Sequence, residues 1–428
     1  MRLKAAFIII IIMASLLPQR GKADDAITND DTILNITEET ASDSTQSKLS
    51  KLNVDFISRE TNFADSLPIL KKAPEWARRY LSTLIRGNID RTHEKKFDMS
   101  FAITPSYTRE AGFGIGGALT GLYRIDRNDS IQPPSDVFLS LNASLNGFFV
   151  LTLKGNNLFP GDRSRLSYKI ELYRKRLDFW GINSEQTANN PKSQYDRRQI
   201  DLKAEYVYRV TRNFFAGVTL RADYTDARNL RDPEYLLGER PQFYVTGIGA
   251  SLEFDTRDNL LTPTRGIHVV YNPTFYWKAL GNAPSSFINH TFIANAYFRM
   301  WKGSVLAFDI YASFNSSGSP WTMREMVASD GIRMRGYYMG SYIDNCQIAN
   351  QVEYRQHIWK RLGATLWAGC ATVFADPIEL REKDIHPQWL PNFGIGLRLE
   401  FKHNVNARID YGFGRHTSGI LFAIGEAF

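Results

Sequence analysis

Residues 347–358 read Gln347-Ile348-Ala349-Asn350-Gln351-Val352-Glu353-Tyr354-Arg355-Gln356-His357-Ile358, and this stretch decides the fold. Ile348, Val352, Tyr354 and Ile358 alternate with Gln347, Gln351, Glu353, Arg355 and His357. A period of two sends the apolar set to one face of a strand and the polar set to the other. With charges concentrated on one side and aliphatic or aromatic groups on the other, the segment fits a wall between hydrocarbon and water.

Two further segments repeat the pattern. Ile200, Leu202, Ala204, Tyr206 and Tyr208 stand against Asp201, Lys203 and Glu205. Tyr244, Ile248, Ala250, Leu252 and Phe254 stand against Gly247, Gly249, Ser251, Glu253 and Asp255. From Phe97 to Phe428 about sixteen such segments follow one another, an even number that lets a barrel close with both ends on the same side. They begin near Phe97, Gly112, Asp136, Phe148, Ser164, Arg198, Asn213, Gln242, Gly266, Ser286, Ser304, Cys346, Arg361, Pro391, Val405 and Gly419.

The connections sort by parity. After even-numbered segments come the tight turns Thr211-Arg212, Lys302-Gly303, Lys360-Arg361 and His403-Asn404. Links after the second, fourth and eighth segments run to about eight or ten residues. All the long links, near 175–196, 225–241, 315–345 and 375–390, follow odd-numbered segments. Short periplasmic turns and long outer loops are the asymmetry of outer-membrane barrels, and a soluble sandwich has no reason to show it. The fold expected is all-β: a 16-stranded antiparallel transmembrane β-barrel spanning 97–428, with a short N-terminal helix.

The N-terminus agrees with that compartment. Arg2 and Lys4 precede the apolar run 5–17, and Gly21-Lys22-Ala23 offers small residues for cleavage. The run is shorter than the roughly 20 residues a membrane-spanning helix needs, so residues 1–23 read as a secretory signal peptide. Residues 24–72 are a polar leader read as disordered. Residues 73–96 are a short amphipathic helix and linker, in which Ala77, Tyr80, Leu81, Leu84 and Ile85 form one stripe between Pro74 and Gly87. Such a helix could plug the barrel, lie on the inner leaflet or pack against the rim.

Composition is 43% hydrophobic yet 13% aromatic, as alternation around a polar lumen dilutes apolar content. The formal charge of +7 is dispersed through strands, turns and the N-terminal segment rather than gathered on one face, so nucleic acid is not an expected partner. Outer-membrane lipid and lipopolysaccharide are. Cys346 and Cys370 lie on segments joined at Lys360-Arg361, so Cys370 should face Asn350. That leaves the cysteines about 13 Å apart, at roughly 3.4 Å per residue, too far for a disulfide.

Two motifs carry a family resemblance. Phe254-Asp255-Thr256-Arg257-Asp258-Asn259, followed by Pro263-Thr264-Arg265-Gly266, resembles the turn between strands 8 and 9 of the BamA/TamA-type outer-membrane protein assembly superfamily, the bacterial surface antigen barrels. Gly331-Ile332-Arg333-Met334-Arg335-Gly336-Tyr337 resembles the loop motif, Arg-Gly and an aromatic, that the family carries between strands 11 and 12. The resemblance implies that this loop folds into the lumen and that Arg335 pairs there with a wall acid. The alternation assigns Glu353 to the lumenal face, and Gly336 permits backbone conformations other residues resist. The family often carries a second acid on strand 13, where this chain has Gly369. Phe428, ending the segment from Gly419 through Ile420, Phe422 and Ile424, is similar to the C-terminal signal of such barrels.

The resemblance also implies a function: insertion or translocation of outer-membrane proteins of a diderm bacterium, at a weakly paired seam between first and last strands. Assembly proteins of the periplasm or outer membrane are the implied partners. Only some 70 residues lie between the cleavage site and the barrel, so this chain reads as a shortened form lacking the periplasmic POTRA domains. The alternative is an accessory or pore-forming barrel working with a partner that supplies those domains. A third class is a barrel enzyme acting on lipids from a Ser-His pair on different strands.

No enzyme motif supports that third class. Gly112-Phe113-Gly114-Ile115-Gly116-Gly117 lies in an alternating strand rather than opening a helix. No GxSxG elbow and no HExxH spacing occurs among the 7 histidines, so no catalytic residue, metal or cofactor is expected.

Overall fold

The computed structural model describes residues 92, 95–108, 112–126, 134–144, 147–376, 387–402 and 404–428. The signal peptide, leader and amphipathic helix expected at 1–23, 24–72 and 73–96 lie outside the described residues, apart from Thr92, Lys95 and Lys96.

Sixteen strands follow one another in a single antiparallel sheet. They are β1 (Asp98–Thr108), β2 (Gly112–Tyr123), β3 (Ser135–Ser144), β4 (Phe149–Leu158), β5 (Ser164–Phe179), β6 (Ser193–Arg209), β7 (Phe214–Arg228) and β8 (Gln242–Asp255). Then come β9 (Gly266–Tyr276), β10 (Phe287–Arg299), β11 (Ser304–Asn315), β12 (Cys346–Trp359), β13 (Leu362–Phe374), β14 (Leu390–Lys402), β15 (Val405–Gly414) and β16 (Thr417–Ile424). Each strand pairs with its sequence neighbours, and β1 and β16 come within 8 Å of each other between Cα atoms. No ladder joins those two among the described residues. No described helix is long and apolar enough to cross a membrane; α1 (Ser184–Asn189) is a short helix in the β5–β6 loop.

The wall is inverted relative to a soluble protein. On β8, Tyr244, Ile248, Leu252 and Phe254 are exposed, whereas Ser251, Glu253 and Asp255 are buried. The same holds on β12, where Gln347, Gln351, Glu353 and Arg355 are buried. Exposed apolar groups of this extent are costly in water and at home in hydrocarbon. Trp301 and Trp359, near the short turns, and Trp277 and Trp389, near the long loops, are exposed as interfacial anchors would be.

The structure corrects three expectations. The β5–β6 hairpin reaches further than its alternation suggests, continuing its ladder from Lys175↔Arg197 to Phe179↔Ser193, so the loop shrinks to 180–192. The reason is burial: Leu177, Phe179 and Tyr195 join an apolar cluster with Trp321 and Ile343 of the β11–β12 connection. The link after β4 is also shorter, 159–163, because Pro160–Asp162 makes a tight turn with Gly161 at φ +67°. Finally, the last strand stops at Ile424 rather than running to Phe428. Gly425 turns at φ +92°, and its N–H donates to the Asn406 carbonyl at 2.7 Å. Glu426 then meets Arg398 at 3.0 Å, while Arg355 donates to the Phe428 carbonyl at 2.7 Å. Phe428 has left the wall for the lumenal arginines, its ring 5.1 Å from the Arg355 guanidinium.

Gly112–Gly117 lies within β2, and Cys370 stands opposite Asn350 in the register, with both cysteines free.

Candidate functional site

The connection 316–345 between β11 and β12 folds back into the barrel at its tip. A two-residue ladder, Glu325–Met326 with Ile343–Asp344, stiffens it, and its tip turns inward through Asp330, whose carboxylate accepts the N–H groups of Ile332 and Arg333 at 2.8 and 2.9 Å. Such an Asx turn sets the backbone locally, the aspartate oxygen standing in for a backbone acceptor.

Arg335 sits at the end of that turn and is buried. Its Nη2 donates to Glu353 Oε2 on β12 at 2.7 Å, and its Nη1 donates to Asp410 Oδ2 on β15 at 2.8 Å. The guanidinium lies 3.7 Å from the centre of the Trp367 ring on β13. Trp367 in turn donates its indole N–H to Asn392 on β14 at 3.1 Å, and the Asn392 amide donates to the Arg335 carbonyl. One residue therefore engages four adjacent strands, by two charge-assisted bonds, a cation–π stack and a backbone bond.

The acid that serves as second anchor is Asp410, not a residue of β13. At Gly369, a Cβ would stand 2.4 Å from the Asn350 carbonyl and 2.8 Å from the Gln351 Cβ, so a side chain there would collide with β12. Asp410 also binds Arg398 at 2.6 Å and Arg408 at 3.0 Å. Glu353 holds Arg355 at 2.8 Å, so the two acids are shared among four arginines. Arg333 makes its own fork with Asp309 on β11, both bonds 2.7 Å, and meets Asp330 at 2.8 Å. Burial alone would lower the pKa of Arg333; the Asp330 and Asp309 carboxylates outweigh it and raise the pKa instead.

Gly336 and Tyr337 fix the exit from the clamp. Gly336 has φ +106°, and a Cβ there would stand 2.4 Å from the Gly412 carbonyl of β15. The Tyr337 hydroxyl donates to the Pro391 carbonyl at 2.7 Å and accepts from the Arg415 N–H at 2.8 Å. Gly414 makes room for the Tyr337 ring, since its missing Cβ would lie 2.2 Å from it.

At its other end the loop is held by the outer loops. Trp321 is fully buried, its N–H donating to Glu239 at 2.9 Å and its indole to the Arg240 carbonyl at 2.9 Å. The Tyr338 hydroxyl accepts the Asp178 N–H at 2.9 Å, and Asp344 accepts the Ser184 N–H at 3.0 Å. The connection thus bridges the lumen, from β12–β15 on one side to the β5–β6 and β7–β8 loops on the other.

The β8–β9 turn forms a second, separate cluster. Asp255 accepts from Arg257 at 3.0 Å and from Arg165 of β5 at 2.8 Å. Asp258 accepts the Thr264 and Arg265 N–H groups at 2.8 and 3.2 Å, and also the Thr264 hydroxyl. Burial opposes ionisation of Asp258, but those hydrogen bonds outweigh it and hold its carboxyl below the usual range. Pro263 is buried, and Gly266, at φ +109°, passes where a Cβ would stand 2.3 Å from the Thr256 carbonyl. Glu253, Asp255 and His268 place potential ligand atoms within 4.8 Å of one another. Two guanidiniums already occupy Asp255, and His268 lies 2.9 Å from Glu253, so this group is an ion-pair hub for the turn.

A family model described as the Omp85 superfamily domain matches residues 138–428. No curated protein matches the chain. Among solved structures, BamA from Haemophilus ducreyi lacking POTRA domains 1–3 is similar with a TM-score of 0.47 and 11% identity, over 76% of this chain and 69% of that one. CdiB from Acinetobacter baumannii gives a TM-score of 0.47 at 10% identity, covering 81% and 67%. CdiB from Escherichia coli gives 0.48 at 10%, covering 78% and 62%.

Proposed function

This chain belongs to the Omp85 superfamily, and from that premise we propose that it assembles or exports other outer-membrane proteins by lending the edge of its first strand to an incoming one. The superfamily's outer-membrane barrels insert or transport proteins without catalysis, and the residues described above perform binding and positioning rather than bond chemistry.

The observation that carries the proposal is the seam. β16 is 8 residues long and pairs with β15, while β1 pairs with β2; the sheet order begins with one and ends with the other. Gly425 turns the chain inward immediately after β16, which removes backbone that would otherwise extend the seam. Unpaired N–H and C=O groups at such an edge are expensive in hydrocarbon, and an incoming strand satisfies them. The Arg335 clamp lies on β12–β15, beside the seam, and keeps that part of the wall rigid while the seam itself opens.

The test is to lock the seam. Paired cysteines introduced between β1 and β16 and oxidised in cells should lower the levels of other barrel proteins, and reduction should restore them. Unchanged levels in the locked form would overturn the proposal.

A further inference from the structure

Four cations face one another along the inner wall. In the strand register Lys154 of β4 is opposite Lys169 of β5, Lys169 is opposite Lys203 of β6, and Lys203 is opposite Arg221 of β7. Like charges directly opposite are destabilising, so such a row needs a reason. The next lumenal row outward is acidic, with Glu171 opposite Asp201 and Asp201 opposite Asp223. Lys169 reaches that row, 3.3 Å from both Glu171 and Asp201, and Lys203 lies 2.7 Å from Glu205. Lys154, at the end of the row, makes no ion pair among the described residues; its ammonium lies 5.1 Å from the Phe138 ring centre.

These lysines border a cavity of about 300 Å³. Lys154, Lys169 and Lys203 line it, whereas Glu171, Asp201 and Asp223 do not. Asp136 is the lining carboxylate, and it is engaged by the Asn156 amide at 2.9 Å. Leu261 of the β8–β9 turn, Val405 and Ile424 complete the lining, which places the cavity at the short-turn, periplasmic end of the barrel. The Lys154 side chain is exposed and lines the cavity, within reach of something entering from that end.

We infer that this cavity binds the oxyanion of a phosphate group, presented at the periplasmic mouth and held by Lys154 with Lys169 and Lys203. The apolar lining from Leu261 and Ile424 suits an attached acyl or glycerol body, so a membrane phospholipid headgroup and free phosphate share the required chemistry. An anion over the lysine row relieves the repulsion among its members, which accounts for cations being set opposite one another in a barrel wall.

The experiment uses the full chain in neutral detergent, titrated separately with inorganic phosphate, dihexanoylphosphatidylglycerol and dihexanoylphosphatidylcholine, and followed by phosphorus NMR line broadening. Saturable binding of phosphate or of phosphatidylglycerol supports the site and identifies its source, free anion or headgroup. Lys154→Gln should weaken that binding on the order of tenfold, as expected for one charge-assisted hydrogen bond, and Lys154→Arg should retain it. Asp136→Asn, which removes the lining carboxylate, should tighten it several-fold. Absence of saturation with every ligand, or equal affinity in the parent, Lys154→Gln and Asp136→Asn proteins, would overturn the inference. If Lys154→Gln does not fold, the Asp136→Asn comparison decides alone.

Discussion

Arg335 and Asp410 stand 2.8 Å apart across 75 residues of sequence, and the same guanidinium reaches Glu353 at 2.7 Å. The two acids lie on β12 and β15, so the loop residue ties together strands that are not neighbours. Each carboxylate is buried and already committed to further arginines, which makes the loop part of the wall's own charge balance.

Arg335→Ala should therefore be strongly destabilising, because it strips partners from two buried acids. Breaking a buried pair costs about 3–5 kcal/mol. The heat-resistant gel mobility of the folded barrel should be lost at a lower temperature, with Arg335→Lys intermediate, since lysine keeps the charge and lacks the fork. An alanine variant as heat-resistant as the parent would show the clamp contributes nothing.

Close backbone approach gives an independent handle on the same loop. At Gly412 a Cβ would stand 2.0 Å from the Arg335 carbonyl, and at Gly336 it would meet Gly412 at 2.4 Å with φ +106°. Gly412→Ala and Gly336→Ala should each displace the loop, at a cost of roughly 1–3 kcal/mol. Displacement should raise single-channel conductance and speed proteolysis within 316–345. Gly117→Ala, where nothing lies within 4 Å, serves as the control and should change neither.

The β8–β9 turn should respond to acid. Because the Asp258 carboxyl is held below its usual range, its contribution is fully present above the unfolded value of about 3.9 and is lost as pH falls through the folded value. Asp258 is partly exposed, so the contribution should be small, about 0.5–1 kcal/mol. Thermal stability measured from about pH 6 down through the carboxylate range should fall less steeply in Asp258→Asn. Parallel curves would remove Asp258 as a contributor.

The cysteines should separate by reagent. Cys346 is fully buried and Cys370 is half-buried, its thiol 3.5 Å from Asn350 on the outer face of the wall. A membrane-permeant maleimide should label Cys370 in the native barrel and Cys346 only after unfolding. Labelling of both at equal rates would contradict the assigned register.

Much of the wall was legible because lipid enforces alternation: every second residue of β8 and β12 has one solvent it can face. The same rule applied to Val405–Gly414 sets Arg408, Asp410 and Gly412 on the lumenal face, so the acid that completes the clamp carried a sequence signal. Asp309, the one acid of the otherwise largely apolar β11, carried one too. The cap above the lumen did not. Leu177, Phe179 and Phe243 occupy lumenal positions yet are apolar, because Trp321 and Met326 of a distant loop cover them. No local period encodes a contact between Trp321 and Glu239. Gly425 marked the inward turn before Phe428, but a glycine in a strand pattern signals a break without its direction.

The seam is tested most directly by photo-crosslinking in cells, with a photoreactive residue placed along β1 between Met99 and Ile103 and, for comparison, along the outer face of β8 between Tyr244 and Phe254. Adducts with newly made barrel proteins should form from β1 and not from β8. Adducts formed equally from both walls, or from neither while those proteins are being made, would contradict a strand-pairing seam.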